Sequence, residues 1–226
     1  MYQKKVEQKT DELNLRLLKN IRFVVQRTVG VSLVFLLLSS ALFSQQDSLK
    51  PKRLKVVAAT EIVGYTGIMV GLHTLWYKDE LSSSFHTFND NKEWLQMDKV
   101  GHGVTSYYVG MAGYQALKWS GVSRKKSIWY GGTLGLFFLT SIEVFDGYSK
   151  AWGFSWGDVA VNTIGSGFFI AQQLAWDEQR VLLKYSFRKS KYADLRPNLL
   201  GDNLVQNVLK DYNGQTYWAS ANIASG

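Results

Sequence analysis

The chain has 226 residues, 46% of them hydrophobic, with 8 Trp, 12 Tyr and 12 Phe. That suffices for one domain with a sizeable core and excludes disorder of the whole. There is no Cys, which excludes disulfide stapling, thiol catalysis, zinc–thiolate sites and an acylated cysteine within this sequence, while a formal charge of +8 with a mean hydropathy of −0.12 is too polar for a chain made only of membrane spans.

About half of the positive excess sits at the start. Residues 1–44 carry seven Lys or Arg against three acids, and the cationic stretch runs into the apolar VGVSLVFLLLSSALF. A basic region, a short apolar run and a small-residue exit describe a secretory signal, with cleavage expected between Ala41 and Gln45. The long basic region leaves an uncleaved N-terminal anchor as the alternative. Beyond this segment the charge is scattered, so no nucleic-acid partner is expected.

After a basic connector containing Pro51, four apolar segments follow: VVAATEIVGYTGIMVGLHTLWY, GHGVTSYYVGMAGYQALKW, SIWYGGTLGLFFLTSIEVF and WGDVAVNTIGSGFFIAQQLAW. They are too long for strands and lack period-two alternation, so they read as helices. Each is about as long as a bilayer is thick, at roughly 1.5 Å of rise per residue. Glycines at helical spacing, Gly64/Gly67/Gly71 and Gly131/Gly135, suit close helix approach. The expected class is all-α: a four-helix, membrane-type bundle over residues 50–190 with a helical or irregular C-terminal extension, 191–226. A bundle buried in its own core explains the same pattern. The fourth helix is expected to continue through DEQRVLLKYSF, a small helix to span about 202–210, and QTYWASANIASG to be an extended, uncapped ending that reads as cut short.

Antiparallel packing, which short connections favour, gathers four sequence clusters at one end of the bundle. These are His73 and Tyr77; Asp98, Lys99 and His102; Glu143 and Asp146; and Ser155, Asp158 and Asn162. The basic SRKK turn falls at the other end. Asp98/His102 and Asp158/Asn162 are four apart, and Glu143/Asp146 three apart, so each pair shares a helix face. Gly165 extends the Asp158/Asn162 stripe and opens space along it, and Gly147 lets backbone approach a bound group. Asp98, His102, Glu143, Asp146 and Asp158 are candidate ligands of a divalent metal, or a carboxylate set with unequal pKa values for acid–base work.

Structural roles compete residue by residue. Ser155-x-x-Asp158 is a capping pattern, Asp98 could cap the second helix, Glu143 and Lys99 could pair as ions, and His73 suits a hydrogen-bonded core position. His86 and Glu93 lie in the loop and Glu61 points away, so they are weak members. No G-x-S-x-G or phosphate-loop motif occurs.

FHTFNDNKEWLQMDKVGH, GVSRKKSIWYGG, SIEVFDGYSKAWGFSWGDVAVNTIGS and LKDYNGQTYW resemble the YfiM-like proteins, an uncharacterised envelope family labelled predicted periplasmic lipoproteins. A remoter resemblance is to VanZ-like membrane proteins. It rests on Asp98, Lys99 and His102, on Glu143, and on Ser155, Asp158, Asn162 and Gly165. The resemblance implies a helical bundle that gathers these residues, and no known reaction. The expected protein is exported to the cell envelope of a Gram-negative bacterium, in the periplasm or at a membrane. Its expected role is structural or in assembly, with binding of membrane-lipid or envelope-glycan headgroups at the polar cluster. The alternatives are a metal-assisted hydrolase or transferase on a lipid-linked substrate, and a protein partner docked at the Phe85–Trp94 loop.

Overall fold

The computed structural model describes residues 49–77, 80 and 84–222; the leader or anchor expected over residues 1–44 lies outside them. Four main helices form: α1 (Pro51–Leu72), α2 (Met97–Trp119), α3 (Leu134–Asp146) and α4 (Trp156–Trp176). Proline stands at the first turn of α1, where its missing N–H costs nothing. A π-helical turn, His73–Tyr77, ends α1, and a second, Ser127–Gly131, leads towards α3.

The centre is α2, packed chiefly against α4 and α3. Tyr107, Ile128, Phe169 and Ile170 fill that junction. Backbone proximity requires glycine there: a Cβ on Gly135 would lie 2.1 Å from Ser106 O, and one on Gly165 would lie 2.1 Å from Gly103 O. Gly165 therefore opens no space along the polar stripe, because the backbone of α2 fills it. The other expected glycine contact fails differently. A Cβ on Gly64, Gly67 or Gly71 would meet nothing within 4 Å, since α1 is peripheral. It is held at its start by Leu54 and Val57 on Leu117 and Val122, and later by Tyr65, Met69 and Tyr77 on Phe145.

The all-α expectation is corrected by a small sheet. The fourth helix stops at Asp177, whose φ of 58° is left-handed, and residues 181–187 form strand β1 (Val181–Phe187). A helical turn (Pro197–Leu200), helix α5 (Leu204–Lys210) and strand β2 (Gln215–Ala221) follow. β2 pairs antiparallel with β1 in the register Val181↔Ala221 to Phe187↔Gln215, with Tyr185 and Tyr217 facing across it. The Gln172 side chain secures β1 by accepting from Val181 N (2.7 Å) and donating to Val181 O (3.1 Å). VLLKYSF thus leaves the helix because a strand partner far along the chain takes up its backbone groups.

The four-span expectation is also reduced. Among the described residues, two helices are long and apolar enough to cross a membrane, Pro51–Leu72 and Arg124–Asp146. α2 and α4 carry their polar residues into the bundle instead. The unequal glycines give a direct test. Gly165→Ala is expected to lower stability by about 1–3 kcal/mol through overpacking, and Gly67→Ala to raise it by roughly 0.5–1 kcal/mol, both read by denaturant titration.

Candidate functional site

The expected end of the bundle is where the polar residues meet. Ser155 begins the assembly. Its backbone is extended, and its hydroxyl accepts from Asp158 N at 3.1 Å, so it caps α4. The same hydroxyl donates to Asp90 Oδ1 at 2.7 Å, and Ser155 N donates to Glu143 Oε2 at 3.0 Å. One residue therefore ties the helix start to the 84–91 loop and to the end of α3.

Lys99 completes the tie. Its ammonium lies 2.6 Å from Asp90 Oδ1, 2.8 Å from Asp158 Oδ1 and 3.3 Å from Ser155 Oγ, and the residue is 7% exposed. The expected Lys99–Glu143 ion pair gives way to these two carboxylates, and Glu143 spends one oxygen on the Ser155 backbone instead. Burial works to raise Asp90, but Lys99 and the Ser155 hydroxyl outweigh it and hold its carboxyl below the ordinary range. Burial raises Asp158, although His102 and Lys99 pull against it.

Asp98 does not cap α2. The cap position is Gln96, and Asp98 in the first turn accepts from the Tyr212 hydroxyl at 2.6 Å. Asp146 accepts from the Tyr77 hydroxyl, also at 2.6 Å. His102 Nδ1 lies 3.2 Å from Asn162 Oδ1; a carbonyl oxygen only accepts, so Nδ1 carries the hydrogen. That leaves Nε2 as a lone-pair donor, 3.8 Å from Glu143 Oε1. Asn162 is fully buried, and its Nδ2 has no partner among the described residues.

Around these groups opens a chamber of about 550 Å³. Asp98, Lys99, His102, Glu143, Asp146 and Asp158 line it from the helices, and Asp90 and Glu93 from the loop. The opposite wall comes from the C-terminal extension: Asn198, Leu199, Leu209, Lys210 and Tyr212. Ser155 and Asn162 brace it from behind. His73 and His86 do not line it, and Glu61 is on α1, half-buried, with burial pushing its carboxyl up to about 7. Gly147 admits the Phe85 ring, since its Cβ would lie 2.2 Å from Phe85 Cε2, so it offers no approach to a bound group. Phe85 itself packs on Tyr148 and Phe154.

Asp90 and Tyr212 are not legible in the sequence as members of the cluster, and Tyr77 is placed there without a contact. Asp90 lies in a polar loop stretch, NDNKE, where acids are unremarkable, and Tyr212 is far along the chain. The one local clue was Lys99, an ammonium within an apolar helix start that requires countercharge.

Three carboxylate-bearing or imidazole side chains, Asp98, His102 and Asp158, can bring one ligating atom each within 4.8 Å of the others. Two carboxylates suit a hard cation such as Mn²⁺, and the imidazole suits Zn²⁺.

Residues 86–173 match a family described as predicted periplasmic lipoprotein (DUF2279). The match supports an uncharacterised periplasmic family, and the protein is an exported one of the cell envelope. No curated protein and no solved structure matches the chain. The matched stretch holds every candidate residue from Asp98 to Asn162 and also Asp90. Tyr77 and the C-terminal wall with Tyr212 fall outside it.

Burial, reinforced by the nearby Asp146 and Asp158 carboxylates, pushes Glu143 up to about 9. Burial also lifts Asp146 to about 7 against the Tyr77 hydrogen bond. Both folded pKa values exceed the unfolded ones, so the folded state holds more protons across this range. The stability contribution is complete below the unfolded values near 4, and is lost as pH rises towards about 7 for Asp146 and about 9 for Glu143. The melting temperature is expected to fall steadily from about pH 5 to about pH 9, and Glu143→Gln to flatten that slope. A slope of opposite sign would refute the burial of these acids.

Proposed function

We propose that this exported envelope protein has a structural or assembly role, and that its chamber binds the headgroup of an envelope lipid or glycan with the help of a divalent cation. The observation that carries the reading is the convergence of Asp98, His102 and Asp158 on one chamber wall with ligating atoms within 4.8 Å. Lys99 brings one positive charge to the two carboxylates of Asp90 and Asp158, so that trio together with Asp98 leaves negative charge that a cation would offset. The interior is rich in acceptors for hydroxyl groups, and Phe88, Trp94 and Trp152 contribute aromatic surface beside them. That combination suits a hydroxyl-rich ring, whereas a bare phosphate would be repelled without the cation. Within this reading, the family likeness is to YfiM-like and, more remotely, VanZ-like proteins.

Glu143 favours a second reading, metal-assisted hydrolysis or transfer on a lipid-linked substrate. A carboxyl raised to about 9 is protonated at neutral pH and lines the chamber, where it could give its proton to a leaving oxygen. The ion, when bound by Asp98, His102 and Asp158, would supply Lewis-acid polarisation. Asn162 would hold His102 in the tautomer that leaves Nε2 free.

Calorimetric titration with Mn²⁺ and Zn²⁺ tests the shared requirement. The protein is expected to bind about one equivalent. Asp98→Asn, His102→Ala and Asp158→Asn are each expected to weaken binding by tenfold or more, while Tyr185→Phe is without effect. Equal heats from all four variants would remove the cation from the proposal. Glycan or lipid turnover that is lost on Glu143→Gln, with cation affinity retained, would select the enzymatic reading.

A further inference from the structure

The outward face of α1 lacks the charge that a water-exposed helix face carries. Its buried stripe is Leu54, Val57, Tyr65 and Met69. The other side presents Val56, Val63, Ile68 and Val70, with Val63 71% exposed, interspersed with Ala59, Thr60, Gly64 and Gly67. From Val56 to Leu72 the only acid or base is the half-buried Glu61. Fewer than a quarter of the residues in the helix's most apolar window are buried, at 22%.

This face is continued by a neighbour. Tyr65 donates to Ser141 Oγ at 3.1 Å and packs edge-on against Phe138, which seats α1 beside α3. Along α3 and the turn before it, Trp129, Phe137 and Val144 are exposed, and no charged residue occurs between Ser127 and Ile142. The two helices among the described residues that are apolar enough to cross a membrane are thus adjacent. The small sheet lies elsewhere, on α2 and α4, where Tyr107 and Gln172 meet Val181.

Charge is confined to the end of this surface. Lys50, Lys52, Arg53 and Lys55 open α1, and Arg124, Lys125 and Lys126 precede α3. The start of α1 is tied to the end of α2, only a few residues before Arg124, because Lys50 N donates to Ser120 O at 2.8 Å and Arg53 Nη1 to Trp119 O. Arg124 is held by Asp177 at 2.8 Å, which leaves Lys50, Lys52, Arg53, Lys55, Lys125 and Lys126 at the border. An uncharged apolar face bordered by these cations matches an anionic lipid surface: acyl chains meet the aliphatic side chains and acidic headgroups meet the lysines.

We propose that the α1–α3 face docks side-on against an anionic lipid bilayer, with the cations of Lys50–Lys55 and Lys125–Lys126 seated on its headgroups. Leu72 and Tyr77, at the end of α1, line the chamber, so docking holds the chamber beside the bilayer surface. The docking stands independently of what the chamber binds.

The cysteine-free sequence makes the test clean. Single Val63→Cys, Ile68→Cys and Phe137→Cys variants of the full chain are labelled with an environment-sensitive fluorophore, beside Leu182→Cys and Leu204→Cys on other exposed surfaces. Vesicles of phosphatidylethanolamine and phosphatidylglycerol containing a nitroxide-bearing lipid are then added. The three face labels are expected to shift to the blue and to be quenched several-fold more than the two controls. Replacing phosphatidylglycerol by phosphatidylcholine is expected to lessen that quenching, because the lysine cluster loses its anionic partner. Insertion of residues 29–43 would bring the whole protein to the vesicle, yet the pattern among labels still reports which side meets lipid. Uniform quenching of all five labels would overturn the proposal. So would face labels that change on raising protein concentration without vesicles, which would give the surface to a second copy of the chain.

Discussion

One ammonium group organises the working end of this molecule. Lys99 is buried at the start of α2, where an unpaired charge would cost several kcal/mol. Its position is tenable only because Asp90 and Asp158 reach it from a loop and from another helix, at 2.6 and 2.8 Å. The loop in turn is held by its own backbone: His86 N donates to Gly147 O, and Phe88 N to Phe154 O. Ser155 closes the circuit by bonding Asp90, Asp158 and Glu143 at once. Removing the Lys99 charge would leave two carboxylates facing each other, so the loop, the helix start and the chamber depend on it together.

That dependence explains why the remaining acids are so unequal. Asp90 benefits directly from the ammonium and is held acidic, while Glu143 receives only a backbone N–H and is driven towards its neutral form. Asp98 and Asp146 each accept from a tyrosine hydroxyl, and burial lifts Asp146 to about 7 in spite of that bond. The chamber thus contains one ammonium shared by two carboxylates, Asp90 and Asp158, and two acids, Glu143 and Asp146, that burial drives towards their neutral forms.

Much of this arrangement was readable from helical spacing alone. Antiparallel helices with short connections put Asp98, Glu143 and Asp158 at the same end, and the (i, i+4) pairs fixed which residues share a face. The partners were less legible. Lys99 advertises a need for countercharge but not its source, and the spacing offered Glu143 where the fold supplies Asp90. Tyr212 comes from a segment whose place depends on β2 pairing with β1, a long-range choice that local periodicity does not encode. The glycines show the same limit. Gly135 and Gly64 look alike in sequence, and only the peripheral position of α1 makes one a contact and the other an open surface.

The chamber also combines two tiers of the chain. Its titratable wall lies within the stretch shared with the periplasmic family, whereas the facing wall, with Lys210 and Tyr212, comes from beyond it. The chemistry that a carboxylate–imidazole set performs is fixed by groups within a few ångströms of one another. The shape of what fits against them is fixed by the opposing wall. Variation in the extension would reshape the facing wall while leaving the Lys99 circuit untouched, because that circuit draws on no residue past Asp158. Tyr212 is the exception that links the tiers: its hydroxyl rests on Asp98, so anything that displaces the extension also frees a carboxylate of the candidate cation site.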